Sequence, residues 1–466
     1  MRPLTAQWIA NAVGGELAAD VDAEVTSVEK DSRDVAPGAL YVAFVGERVD
    51  GHEYAPRAFE AGAALALVSE PVAGPHVLVD DVTDALGRLA QAYLALLRTE
   101  GDITVIGVTG SNGKTTTKDL LAQVLDDAVA PVGSFNNEIG LPLTVLRADA
   151  GTRHLVLEMG ASAPGDLAYL TRIAPLDIAV VLTVGTAHLG GYGSAEGLAA
   201  EKATLLDGLV PRGIALLNAD DDRVAAMAAR PFLSADGRQV RTFGTTAGTD
   251  VAASRITLDR GRASFAVSTP TAGAQDEAMV SLRLVGEHHV TNALAAVATA
   301  LECGLPLDEA ATRVGDADPL SAHRMALTER TDGVWILDDS YNASPESMRA
   351  ALRALKEVAT TGRSFAVVGE MREMGDAWRS GHEEIGLDAV RLRIDHLLVV
   401  GEGAKPAHAS AVREGSWGDE AAYVATIDEA RAFLDGRLMP GDTVLIKASH
   451  GSGLWKLADD LLGVHE

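Results

Sequence analysis

The apolar run Ile103 to Val108 leads into Thr109-Gly110-Ser111-Asn112-Gly113-Lys114-Thr115-Thr116-Thr117, after which Leu120, Leu121, Val124 and Leu125 fall on one helical stripe. Strand, tight glycine turn and helix in that order open a βαβ unit, and such units build mostly parallel sheets covered by helices. The glycines let several backbone N–H groups point at one anion, Lys114 adds a mobile positive charge, and Thr115 offers a hydroxyl suited to Mg²⁺. A helix N-terminus behind the loop favours phosphate further. One position departs from the common phosphate-loop spacing: Val108 stands where the first glycine would fall, flanked by Gly107 and Gly110. A glycine turn without a ligand is the competing reading. The strand, Gly113-Lys114-Thr115 and helix together favour a bound triphosphate.

A chain of 466 residues is long enough for roughly two to four domains, each with its own core. No apolar run approaches the ~20 residues of a membrane helix, so no membrane span is expected. The start, Met1-Arg2-Pro3-Leu4-Thr5-Ala6-Gln7-Trp8, lacks the features of a secretory signal, and a cytoplasmic protein is expected. Cys303 is the only cysteine, which fits a reducing compartment and reads as a small buried hydrophobe. The net charge of −27 argues against nucleic acid as a partner, because such binding needs a broad basic surface. Small anionic ligands need only local donors and remain open.

The pattern divides into three parts, an α/β fold throughout. Residues 1–99 form a small N-terminal α/β domain, with strand-like segments at Ala39 to Val45 and Ala64 to Val68 and a helix between Tyr54 and Ala61. The polar run Arg98 to Asp102 separates it from residues 100–316, a central parallel sheet with helices on both faces. Residues 317–466 restart the alternation as a Rossmann-like unit: strands near Val334 to Leu337, Phe365 to Val368, His396 to Val400 and Thr443 to Ile446. Ser344-Pro345-Glu346 reads as a helix start, with Met348, Leu352, Leu355 and Val358 as the buried stripe.

Several residues could act on a triphosphate. Glu158 ends an apolar strand, at the sheet edge where α/β proteins hold ligands, and Mg²⁺ is a natural partner; a helix cap or surface ion pair is an equal alternative. His188 lies in a loop after another strand, and Lys202 lies on an amphipathic helix. Taken singly, both read as structural or solvated groups.

The ordered set Gly110 to Thr116, Asn136 to Thr144, Glu158-Met159-Gly160-Ala161, Ala187-His188-Leu189, Lys202, His288 to Ala293 and Asp338-Asp339-Ser340-Tyr341-Asn342-Ala343 resembles the Mur ligases along essentially the whole chain. The last motif points within that family to the members that join D-alanyl-D-alanine (D-Ala-D-Ala) to UDP-N-acetylmuramoyl-tripeptide (UDP-MurNAc-tripeptide). The resemblance implies a cytoplasmic, monomeric, ATP-dependent ligase of peptidoglycan synthesis that works through an acyl phosphate. It assigns ATP binding to Gly110, Ser111, Asn112, Gly113, Lys114, Thr115 and Thr116, with Asn292 at adenine, Arg324 facing phosphate on a hinge, and Asp339 at the ribose or elsewhere on the nucleotide. Two Mg²⁺ ions are implied, one on Thr115 and Glu158, the other on His188 and Lys202. An ammonium cannot ligate a cation, and the matching family lysine is carbamoylated by CO₂, which makes it an anionic oxygen ligand.

Asp31-Ser32-Arg33 and Asp50-Gly51-His52 resemble the family's uridine-nucleotide site, which gives Ser32, Arg33, Asp50, Gly51 and His52 to that substrate. Asn136, Asn137, Tyr341, Asn342 and His450 complete the implied substrate set, although turn-stabilising hydrogen bonds account equally for Asn342. Three positions depart from the family pattern: His289 replaces asparagine beside the adenine motif, Ala203-Thr204 follow Lys202 in place of glycine and glutamate, and His450 stands where arginine is frequent. A ligase with another amino donor is disfavoured by Asp338 to Ala343. A nucleotide switch is disfavoured by Glu158, His188 and Lys202, which a switch does not need.

Overall fold

The structure is a computed structural model that describes every residue except 19–22, 47–48, 186–191, 193, 272–273, 416–419 and 465–466. His188 therefore lies outside the described residues. Among the described residues no helix is long and apolar enough to cross a membrane.

Three main sheets follow one another along the chain. The first has five strands in the order Glu16–Leu17, His76–Leu78, Leu65–Val68, Ala39–Val42, Ser27–Glu29, parallel apart from the first pair. The second has nine, and its parallel core runs Gln239–Gly244, Leu209–Asn218, Leu176–Val181, Thr104–Thr109, His154–Glu158, Ala128–Val129. Alternate residues explain why this core reads as continuous apolar runs. Val105, Leu155, Leu157 and Val181 pack into one cluster, while Ile106, Val108, Val156 and Val180 pack into another on the opposite face. A parallel strand buried on both faces has no polar side to show. Val251–Asp259, Arg262–Thr271 and Ala274–Val285 extend the sheet, the last two pairings being antiparallel.

The third sheet has the order Ala326–Glu329, Trp335–Asp338, Thr443–Lys447, Ser364–Val368, His396–Val400, Ala421–Val424, with only its first pair antiparallel. Helix Pro345–Val358 starts at the expected place. Ser344 accepts from the Ser347 N–H while the Ser347 hydroxyl accepts from the Ser344 N–H, and Met348, Leu352, Leu355 and Val358 are buried. The two edge strands were not foreseen. Both are only partly buried, so neither carries the apolar run that marks the central ones.

One expectation needs correction. The polar run Arg98 to Asp102 is not all separator, because helix Val82–Glu100 extends into it and ends at Glu100. Arg98 is held at the helix end by the Pro175 carbonyl and the Asp177 carboxylate, each at 2.8 Å. Leu86, Leu89, Ala90 and Leu97 of this helix share one apolar cluster with Leu40 and Leu67 of the first sheet and Val105, Leu155 and Leu176 of the second. Tyr93 adds a hydrogen bond from its hydroxyl to the Ala148 carbonyl at 2.7 Å. First and second domains are thus joined by a common core. Replacing the fully buried Leu89 with alanine should cost about 2–5 kcal/mol in chemical denaturation, and both domains should lose stability together.

Candidate active site

The departure at Val108 has a simple cause. Strand Thr104–Thr109 continues through that position, where Val108 pairs in register with Glu158 and Val180 and is fully buried. The loop proper begins at Gly110. A Cβ there would lie 2.9 Å from that of Leu182, and one on Gly113 would lie 2.2 Å from Asn292 Oδ1. Gly113 also holds φ at +86°, a left-handed conformation open to glycine at little cost, immediately before helix Lys114–Val124. Lys114 Nζ spans the loop to the Gly110 carbonyl at 2.8 Å. Burial lowers the Lys114 pKa, Glu158 opposes that shift, and Arg324 adds to it. Ser111 and Asn112 brace the loop through N–H bonds to the Thr183 carbonyl and hydroxyl, at 2.8 and 3.3 Å.

Behind the loop the Thr115 hydroxyl donates to Glu158 Oε2 at 2.9 Å and lies 2.9 Å from Ser134 Oγ. Asn136 Nδ2 donates to Glu158 Oε1 at 2.9 Å, which fixes the carboxylate plane. Arg324 reaches in from the hinge, donating from Nη2 to Thr115 Oγ1 at 3.2 Å and to Ser134 Oγ at 3.0 Å. Its guanidinium lies over the Tyr341 ring, 4.2 Å from the centroid. Residues from the second domain, the hinge and the third domain therefore meet in one cleft of about 1240 Å³. Thr116 and Lys202 line it too.

Elsewhere in the cleft wall, Asn292 Nδ2 lies 3.1 Å from His289 Nδ1. Burial depresses the pKa of both neighbouring histidines, that of His288 to about 4 and that of His289 well below its ordinary value. Both rings are neutral at pH 7. The substitution at position 289 thus leaves a group that orients the Asn292 carboxamide. Asp339 is paired with the buried Lys447 ammonium at 2.6 Å and accepts from the Met325 N–H at 3.2 Å. His450 stacks on Trp455, with centroids 5.6 Å apart, and faces Tyr341 at 5.3 Å.

Some expected residues shape loops rather than present free groups. Asn137 Oδ1 caps the Gly140 N–H at 2.9 Å, and Asn342 Oδ1 accepts from the Ala343 N–H at 2.9 Å. The five residues from the first domain lie apart from this cleft, at the carboxyl ends of their parallel strands. Ser32 is buried, and Arg33 is ion-paired with Asp31 at 2.5 Å. Asp50 accepts from the His52 N–H, and its carboxylate lies 2.6 Å from His52 Nδ1, while His52 Nε2 accepts from the N–H groups of Ser69 and Glu70. Gly51 cannot carry a side chain, since a Cβ would stand 2.6 Å from the Phe44 carbonyl. Lys30 of this domain lies over the Phe135 ring at 4.9 Å, next to Asn136.

Lys202 is buried on helix Ala195–Asp207, and its pKa falls to about 7 through burial and the nearby Lys114 charge, against the pull of Glu201. Glu201 itself caps helix Asp166–Ile173, accepting from the N–H groups of Gly165 and Leu167. Sequence reasoning did not single out Ser134 or Lys447 as site residues. Ser134 carries no motif signal, while Lys447 ends an apolar strand, the same signal that marked Glu158.

Among the described residues no three His, Cys, Asp or Glu side chains cluster as a ready metal site. Mg²⁺ does not require one, since it binds through one or two carboxylates and takes its other ligands from water and phosphate. The oxygen pair Thr115 and Glu158 at the head of the loop helix fits such an ion.

Fold and site define a phosphate-loop nucleotide enzyme whose cleft is completed by a second α/β domain across a hinge. The chain belongs to the Mur ligase family: family models match at residues 24–94 (Mur ligase family, catalytic domain), 108–300 (Mur ligase middle domain) and 323–450 (Mur ligase, glutamate ligase domain). It is 44% identical to the UDP-N-acetylmuramoyl-tripeptide–D-alanyl-D-alanine ligase of Mycobacterium tuberculosis, over 99% of this chain and 98% of that one. Among solved structures it resembles MurF from Acinetobacter baumannii, with a TM-score of 0.86, 30% identity and 99% of each chain covered. It also resembles MurF ligase from Thermotoga maritima in complex with ADP, with a TM-score of 0.77, 28% identity, and 94% and 98% covered.

Gly113→Ala should weaken ATP binding by about tenfold or more while the protein stays folded. The added methyl meets Asn292 and the backbone is strained. Calorimetric titration with an ATP analogue, alongside a melting curve, checks this.

Proposed function

We propose that this protein is an ATP-dependent ligase that joins D-Ala-D-Ala to UDP-MurNAc-tripeptide, giving the pentapeptide precursor of peptidoglycan, ADP and phosphate. The observation that carries the reading is the meeting of the Thr115–Glu158 pair with Arg324 and the Asp338 to Ala343 loop in one cleft. Full-length similarity to ligases named for this reaction supports it. We place the enzyme in the cytoplasm as a monomer, with units bounded at residues 1–99, 100–316 and 317–466 holding the uridine nucleotide, ATP and the dipeptide.

The chemistry sets the demands. A peptide carboxylate is a poor electrophile, so one of its oxygens first attacks the γ-phosphorus of ATP, giving an acyl phosphate and ADP. The dipeptide amine then attacks the acyl carbon, loses a proton, and expels phosphate. Lys114 and the loop N–H groups hold the phosphates, and Arg324 faces them from the hinge. These cations offset the repulsion between triphosphate and carboxylate in a cleft of low dielectric. Asn292 takes adenine, steadied by His289, and Asp339, steadied by Lys447, takes the ribose. Ser32, Arg33 and the Asp50-Gly51-His52 turn receive the uridine nucleotide. Asn136 orients Glu158, while Asn137 and Asn342 shape the loops beside the peptide substrates, and Tyr341 and His450 line the dipeptide side.

Thr115 and Glu158 would hold one Mg²⁺, which neutralises developing charge on the phosphates when bound. His188 and Lys202 would hold the second. Lys202 is suited to carbamoylation because its lowered pKa leaves much of the amine neutral near pH 7. The neutral amine adds to CO₂ and releases one proton, giving an anionic oxygen ligand. Protonation blocks that addition, so in CO₂-depleted buffer activity should fall as the pH drops below about 7 and return on adding bicarbonate. Lys202→Ala should lose about 100-fold or more in kcat, with partial rescue by short-chain carboxylates. Unchanged activity in that variant would contradict the role.

Phosphate release with ATP, UDP-MurNAc-tripeptide and D-Ala-D-Ala, omitting one at a time, tests the reaction. Turnover should require all three. Undiminished release without the dipeptide would point to a hydrolase.

A further inference from the structure

Three fixed cations of the cleft, Lys114, Arg324 and Lys447, already have partners within the nucleotide machinery. Lys114 reaches the Gly110 carbonyl, Arg324 is bonded to Thr115 and Ser134, and Lys447 is spent on Asp339 and the Asn342 carbonyl. Arg372 is placed differently. It lines the third-domain wall of the same cleft with a side chain 51% exposed, and its Nε donates to Glu370 Oε2 at 3.2 Å. Among the described residues, Nη1 and Nη2 have no hydrogen-bond acceptor.

Its base is rigid. The Arg372 N–H donates to Ser449 Oγ at 3.0 Å, the Ser449 N–H to the Glu370 carbonyl at 2.9 Å, and the Gly369 N–H to the Lys447 carbonyl at 2.9 Å. These bonds lace the loop after strand Ser364–Val368 onto the loop after strand Thr443–Lys447. Gly451 completes the seat. A Cβ there would stand 2.3 Å from Arg372 Nη1, so the guanidinium can lie where it does only because position 451 has no side chain.

A guanidinium tied at Nε and open along its Nη edge matches a carboxylate through two parallel hydrogen bonds. The dipeptide of the proposed reaction has two ends with different needs. Its amine must be free and unprotonated to attack, whereas its carboxylate takes no part in bond making and needs a cation to leave water. We propose that Arg372 anchors the C-terminal carboxylate of the incoming dipeptide, with Glu370 fixing the guanidinium plane and Gly451 giving it room. This assignment rests on the ligase reading above. The carboxylate is unchanged between ground state and transition state, so its contact is uniform binding and belongs in KM rather than kcat.

The test compares D-Ala-D-Ala with D-alanyl-D-alaninamide, whose carboxylate is capped, in the wild type, Arg372→Gln, Arg372→Lys and Gly451→Ala. Arg372→Gln should raise the KM for D-Ala-D-Ala by about tenfold or more, with kcat and the KM for ATP little changed. Arg372→Lys should recover part of the loss, since it keeps the charge without the fork. Gly451→Ala should behave like Arg372→Gln, because the methyl displaces only the far end of a flexible side chain. With the amide, the wild type should show the same raised KM, and no variant should raise it further. An equal penalty on acid and amide, or no change in dipeptide KM, would overturn the assignment alone. A wild type without dipeptide-dependent turnover would overturn the ligase reading and the assignment with it.

Discussion

The Thr115 hydroxyl is the point at which three separate parts of the chain become one site. It binds Glu158 from the neighbouring strand, lies against Ser134 from the loop after Ala128–Val129, and receives Arg324 from the hinge. Arg324 can reach it because the hinge backbone is held in an unusual shape. His323 and Met325, on either side, both have left-handed φ values, +60° and +51°, which cost about 1 kcal/mol or more each for side chains of this size. The third domain holds that shape: Asp338 lies 2.6 Å from His323 Nδ1, and Asp339 accepts from the Met325 N–H. The Asp338-Asp339 motif therefore also holds the backbone on both sides of Arg324.

The cleft concentrates charges that water would otherwise screen. Lys114, Lys202 and Lys447 all have pKa values lowered chiefly by burial, and His288 and His289 are neutral for the same reason. Such a site is poised for anions, because a bound triphosphate relieves a desolvation cost that folding has already incurred. A strongly acidic protein can still set local cations where an anion is to be held: Lys114, Arg324, Arg372 and Lys447 line the cleft beside its carboxylates.

Much of this was legible in the sequence, for identifiable reasons. Central parallel strands are buried on both faces, so Val105 to Val108, Leu155 to Leu157 and Ala366 to Val368 stand out as apolar runs. Ser344-Pro345 marked a helix start because capping is local chemistry. Less legible were features that depend on distant partners. The Asp339–Lys447 pair joins residues 108 positions apart, and Ser134 acquires meaning only beside Thr115. The end of helix Val82–Glu100 looked like a linker, since a polar last turn does not reveal the core beneath it. The family resemblance singled out Lys202, and the structure added a physical property to it: a buried amine with a pKa of about 7.

The central claim is that the cleft passes the γ-phosphoryl group to a peptide carboxylate rather than to water. Oxygen tracing tests this most directly. With UDP-MurNAc-tripeptide labelled with ¹⁸O in its terminal carboxylate, the account predicts that the phosphate released during pentapeptide synthesis carries one labelled oxygen, left from the bridging atom of the acyl phosphate. Unlabelled phosphate, or phosphate whose new oxygen comes from solvent, would contradict it.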